Sequence, residues 1–148
     1  MSSVVCIVIF FIVEKLKNWS IICEGGNRFA IECPPAGCDN LPDEVTNSSG
    51  FQNSCFVTSY YICSKEQTID LNVIGIPERV MNCYKPSILI SEWYAARKNC
   101  GCLYECEVSL MDSKYTILAK YPFRATFAQW EGGAWHKVCS IFQLSFRI

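Results

Sequence analysis

The sequence predicts a mostly β fold with one or two short helices (α+β), in the form of a small disulfide-rich extracellular domain. Three observations carry that expectation. Runs of β-branched and aromatic residues are separated by turns marked with Pro and Gly. Eleven cysteines occur in 148 residues, and a reducing cytosol gives so many cysteines no disulfide role. A short apolar run near the amino terminus has the size of a secretory signal core. The length suits one domain with a real core. An apolar content of 51% and an aromatic content of 14% exclude a disordered tail. The formal net charge of −1 leaves no basic footprint for nucleic acid and no acidic tail for a basic partner.

Val4-Val5-Cys6-Ile7-Val8-Ile9-Phe10-Phe11-Ile12-Val13 is uninterrupted until Glu14 and Lys15. As a helix it reaches about 15 Å, half a hydrocarbon core, so it is no membrane span by itself. Residues 1–23 are therefore expected to be a signal peptide or a short hydrophobic anchor, the alternative being a buried strand at the start of a domain. Residues 24–148 are then a single cysteine-rich extracellular domain. Asn18-Trp19-Ser20 and Asn47-Ser48-Ser49 make Asn18 and Asn47 glycosylation candidates.

Glu24-Gly25-Gly26-Asn27 reads as a flexible start, and Arg28 to Cys33 as a short strand. Cys33-Pro34-Pro35-Ala36-Gly37-Cys38 is a turn whose two cysteines are either bridged or anchored separately. Asp39 to Gly50 is loop. Cys55 to Cys63 is rich in β-branched and aromatic residues, the clearest strand of the first half. Thr68 to Ile76 puts Ile69, Leu71 and Val73 on one face, a second strand. Pro77 suits the first position of a helical turn through Met81. Ser87 to Lys98 is the best helix candidate, with Ile88, Leu89, Glu92, Trp93, Ala95 and Ala96 as a rough stripe. Val108 to Ala119 and Val138 to Phe146 read as strands, with Gly132-Gly133 as a loop before the last.

The nine disulfide candidates are Cys33, Cys38, Cys55, Cys63, Cys83, Cys100, Cys102, Cys106 and Cys139. Zinc is the alternative use of the Cys100-Gly101-Cys102-Leu103-Tyr104-Glu105-Cys106 cluster, but the repeated pair spacing of zinc sites is absent. No metal and no cofactor is expected. A thiolate activated by His136 would be the only route to catalysis. No triad, paired carboxylate or phosphate loop accompanies it, so no catalytic residue is assigned and the protein reads as a non-enzyme. Phe123, Phe127, Trp130 and Trp135 form either an exposed contact surface or the core beneath a loop.

The cysteine cluster and the strands after it resemble the extracellular region of the degenerin, epithelial sodium channel and acid-sensing ion channel family. That family carries a Cys-x-Cys-x-x-x-Cys element late in its ectodomain, then a Tyr-containing strand and an apolar strand before its second membrane helix. Tyr115 to Pro122 resembles the first of these strands and Val138 to Phe146 the second. Cys83 precedes the cluster at a similar spacing, and Cys63-Ser64-Lys65-Glu66-Gln67 is a fainter echo. The likeness spans residues 55 to 148 and includes no pore helix or selectivity motif. It implies that Cys83, Cys100, Cys102 and Cys106 are ectodomain disulfide cysteines. It also implies a non-enzymatic part of an amiloride-sensitive sodium channel ectodomain, with neighbouring channel subunits as partners and membrane association only within a longer chain. The rival expectation is a small secreted cysteine-rich protein of salivary, venom or effector type that binds another protein.

Overall fold

A computed structural model describes residues 5–8, 19–46 and 54–143. Among them the elements run β1 (Val5–Val8), β2 (Ser20–Glu24), β3 (Ala30–Glu32), α1 (Asp43–Thr46), β4 (Cys55–Val57), β5 (Cys63–Glu66), α2 (Glu78–Tyr84), β6 (Ile88–Ala96), β7 (Cys102–Met111), β8 (Ile117–Phe127) and β9 (His136–Phe142). The protein is mostly β with few short helices, as the sequence predicts. Five strands form one sheet in the order β3-β4-β1-β6-β9, and β2-β5 and β7-β8 form two further pairs.

The described part of the amino-terminal apolar run, Val5–Val8, is a strand hydrogen-bonded on both sides. It pairs antiparallel with β4 through Cys6↔Val57 and Ile7↔Phe56, and with β6 from Val5↔Ala96 to Val8↔Trp93. A strand inside a sheet has no wet edge, and an apolar sequence suits it. The β2-β5 pair carries a bulge between Ile21 and Cys23. Pro122 lies within β8, where the two-stranded pairing leaves an edge that needs no proline donor.

Several local expectations are revised. Ser87 to Lys98 is strand β6 rather than a helix: Tyr94, Ala95 and Ala96 are all buried, and burial on both faces erases the alternation that marks a strand. Thr68 to Ile76 is turn, closed by Ile76 N–H donating to Leu71 O at 2.8 Å. Val108 to Ala119 is not one strand, because the Asp112 carboxylate accepts the Lys114 and Thr116 N–H groups, each at 2.8 Å, and reverses the chain. Asp at the first position of such a turn mimics a backbone bond. Pro77 stands one residue before α2 as its N-cap, and the helix runs to Tyr84, where Lys85 ends it in a left-handed conformation.

The chain forms two compact units. The first comprises Met1–Gln67, Glu92–Tyr104 and Arg124–Val138. Its core gathers Leu41, Val45, Cys55 and Val57, with Trp93 and Trp135 packed against them. The second comprises Thr68–Ser91, Glu105–Phe123 and Cys139–Ile148, and Met81 and Phe142 are its buried residues among those described.

No disulfide is found among the ten cysteines whose side chains are described. The expectation of a disulfide-rich domain is therefore not supported. In β7 the residues Cys102, Tyr104 and Cys106 lie on the inward face, while Glu105 and Glu107 point out. A period of two in a strand gives this spacing a packing role, with cysteine as a small apolar side chain. Asn18 and Asn47, the glycosylation candidates, fall outside the described residues.

Candidate functional site

One exposed aromatic surface of the first unit is built on a glycine turn. Gly25 N–H donates to Ile62 O at 3.0 Å, and Arg28 N–H to Gly25 O at 3.0 Å. Asn27 N–H donates to Ser59 Oγ at 2.9 Å. A Cβ on Gly25 would stand 2.5 Å from Tyr61 Cβ and 2.7 Å from Ile62 O, so only glycine admits this approach. Gly26 has φ +59°, and a Cβ there would meet Ser59 Oγ at 2.6 Å and the Tyr60 ring at 3.1 Å. The turn thus underlies Tyr60, Tyr61 and Ile62, which are 48%, 66% and 75% exposed. The tyrosine rings stand 4.9 Å apart and tilted by 50°, and Ile22 is exposed as well. Beside them Lys65 Nζ sits 3.4 Å from the centre of the Trp19 ring, a cation–π contact.

A second exposed ring belongs to Trp130, which is 73% accessible and has φ +75°. The Glu131 carboxylate accepts the Ala128 N–H at 2.8 Å, Glu131 N–H returns to Ala128 O, and Gln129 Nε2 donates to Asn99 O at 3.4 Å. A left-handed tryptophan held by such contacts is a strained residue fixed in place by its surroundings.

The aromatic residues singled out in the sequence divide between the two readings. Trp130 is surface, whereas Trp135 packs on the core and Phe127 is half-buried. His136 opens β9 on the surface, its ring 5.6 Å from Tyr94 and 5.2 Å from Phe127. Tyr94 stacks on Tyr104 at 4.2 Å and 5°, and the Tyr104 hydroxyl donates to Glu92 at 2.7 Å. Among the disulfide candidates Cys55 and Cys102 are buried, Cys38, Cys63, Cys100 and Cys106 are half-buried, and Cys33, Cys83 and Cys139 are exposed. Burial, reinforced by Cys100, pushes the Cys102 thiol up to about 11 and makes it inert. No group of three or more His, Cys, Asp or Glu that would hold a metal is found among the described residues. The sequence reading missed Tyr60, Tyr61 and Ile62 as a surface, since they were absorbed into a strand. The Gly25-Gly26 pair was the available signal.

These features define a mostly β scaffold that displays aromatic side chains from rigid loops. The chain belongs to the F-box associated region family, whose model matches residues 13–144. It is 34% identical to F-box only protein 6 of Mus musculus, an alignment covering 87% of this chain and 42% of that protein. To F-box only protein 44 of Homo sapiens it is 33% identical, covering 87% and 49%. To F-box only protein 2 of Bos taurus it is 29% identical, covering 87% and 43%. The chain thus spans less than half the length of these curated relatives.

This membership corrects the resemblance to sodium channels, together with the ion-transport and membrane roles and the channel-subunit partners drawn from it. Of the three clustered cysteines that suggested it, Cys102 and Cys106 lie on the inward face of β7. The family match equally overturns the extracellular, secreted placement.

Proposed function

We propose that this chain is the substrate-recognition region of an F-box protein, the subunit of a ubiquitin ligase that selects the protein to be modified, and that it works inside the cell. On this reading it binds without chemistry of its own, and its partners are glycoproteins. The match of the family model to residues 13–144 is the observation that carries the proposal. The Tyr60-Tyr61-Ile62 surface supports it, because aromatic rings fixed on a rigid turn give contact area at little entropic cost.

The test is capture of glycoproteins from a lysate by the 148-residue protein, with half of the lysate first stripped of N-linked glycans. Retention of glycoproteins from the untreated half alone is the expected result. Equal capture from both halves would overturn glycan-dependent recognition, and no capture from either would overturn the recognition role.

A further inference from the structure

The register of the five-stranded sheet brings two exposed aromatic loops of the first unit to the same end. Ala30 of β3 stands opposite Val57 of β4, Val57 opposite Cys6 of β1, and Cys6 opposite Ala95 of β6, so these four residues form one row. Both β4 and β6 run antiparallel to β1, and they therefore leave the row in the same direction. Past the row β4 leads to Tyr60, Tyr61 and Ile62, and β6 leads to Arg97, Lys98 and Asn99.

The loop carrying Trp130 is fixed to that end of β6. Gly133 N–H donates to Ala96 O at 2.8 Å. A Cβ on Gly132 would stand 2.6 Å from Arg97 O and 2.8 Å from Ala96 O, and one on Gly101 would stand 3.2 Å from Phe127 O. Gln129 Nε2 donates to Asn99 O at 3.4 Å. Only β1 lies between β4 and β6, so the two strands are about 10 Å apart. An extended polypeptide advances about 3.5 Å per residue, and a segment of a few residues covers that separation.

The side chains beside Trp130 indicate what its ring takes. The Glu131 carboxylate accepts the Ala128 N–H at 2.8 Å, the Gln129 amide is on Asn99 O, and the Cys100 thiol donates to Asn99 Oδ1 at 3.4 Å. Groups that would meet the hydroxyls of a sugar are thus engaged in holding the loop, whereas an apolar side chain needs only the ring. The ring itself is 73% exposed on a backbone at φ +75°, and a side chain fixed before binding loses little entropy on contact. Tryptophan is among the residues that dominate protein–protein contacts.

We propose that Trp130 is a polypeptide contact. It takes an apolar side chain of the substrate protein near the glycosylated position, while the Tyr60-Tyr61-Ile62 surface takes the glycan. This inference rests on the glycoprotein-recognition reading above and adds the protein part of the ligand to it.

The test compares two probes on the 148-residue protein by calorimetry: a glycopeptide with several apolar residues around its N-glycosylated asparagine, and the same glycan released from it. Trp130→Gly removes the ring and suits the left-handed backbone, so the loop is expected to keep its fold, as the unchanged affinity for the released glycan would show. The glycopeptide is expected to bind the wild type more tightly than the released glycan does. Trp130→Gly should weaken the glycopeptide about tenfold and leave the released glycan unchanged, and Trp130→Tyr should recover part of the loss. Equal weakening of both probes would make Trp130 a sugar contact and overturn the proposal, as would no effect on either. A wild type that binds neither probe would overturn the recognition reading itself, and this proposal with it.

Discussion

The Trp135 indole N–H donates to the Asp39 carbonyl at 2.9 Å across 96 residues of sequence. The same tryptophan packs against the Leu41, Val45, Cys55 and Val57 core. One side chain thus fills the core with its ring and fixes a loop with its edge, the dual use that tryptophan allows. Trp135→Phe keeps most of the ring and loses the donor, so it should cost about 1 kcal/mol in chemical denaturation. Trp135→Ala empties the site as well and should cost about 3 kcal/mol or more. Equal losses for the two would show that the hydrogen bond contributes nothing.

Gly25→Ala places a methyl group 2.5 Å from Tyr61 Cβ and 2.7 Å from the Ile62 carbonyl. Backbone must move, and overpacking of this kind costs about 1–3 kcal/mol. The expected result is a lower denaturation midpoint together with weakened partner capture, because the displaced residues are those of the proposed contact surface. Wild-type stability in this variant would mean that the turn is looser than these distances require.

The carboxyl of Asp112 lies below its usual range, chiefly because it accepts the Thr116 N–H, with Lys114 adding to the effect. A folded pKa below the unfolded value, about 3.9, gives stability that is present above the unfolded pKa and lost as pH falls through the folded one. The β7-β8 turn should therefore hold at neutral pH and open in acid, followed through the Lys114 and Thr116 amide resonances. Asp112→Ala should open it at every pH. A pH-independent turn in the wild type would contradict this role for the Asp112 carboxylate.

Cys102 gives the opposite sign. With its folded pKa near 11 against an unfolded value near 8.5, its contribution is present below the unfolded pKa and fades as pH rises through the folded one. At pH 8 the native protein should take up a thiol reagent at Cys83 and Cys139 and spare Cys102. Cys102→Ser buries a hydroxyl and should cost about 1–3 kcal/mol, more than Cys102→Ala. Prompt labelling of Cys102 in the folded protein would refute its burial.

The sequence made the mostly β class legible, because β-branched and aromatic runs between turn residues survive any tertiary context. It misled where context removes the local signal. Tyr94-Ala95-Ala96 is buried on every side, so β6 lost its alternation and its alanines mimicked a helix. Asp112 reversed the chain through a side-chain acceptor that hydropathy does not register. Cys102 and Cys106 share a face of β7, and that register produced a cysteine spacing which imitated another family's disulfide element. At the candidate site, the glycines at 25 and 26 were visible. What they support was not, since Tyr60 and Tyr61 meet that turn only after β2 pairs with β5.

The most direct measurement is the affinity of the 148-residue protein for an N-glycosylated protein, compared with Tyr60→Ala/Tyr61→Ala and with Tyr84→Ala, which alters a still more exposed tyrosine in the second unit. The account predicts binding by the wild type, at least tenfold weaker binding by the double variant, a loss of about 1.4 kcal/mol, and no change for Tyr84→Ala. A double variant that stays folded and binds as the wild type does would contradict the placing of recognition on this surface.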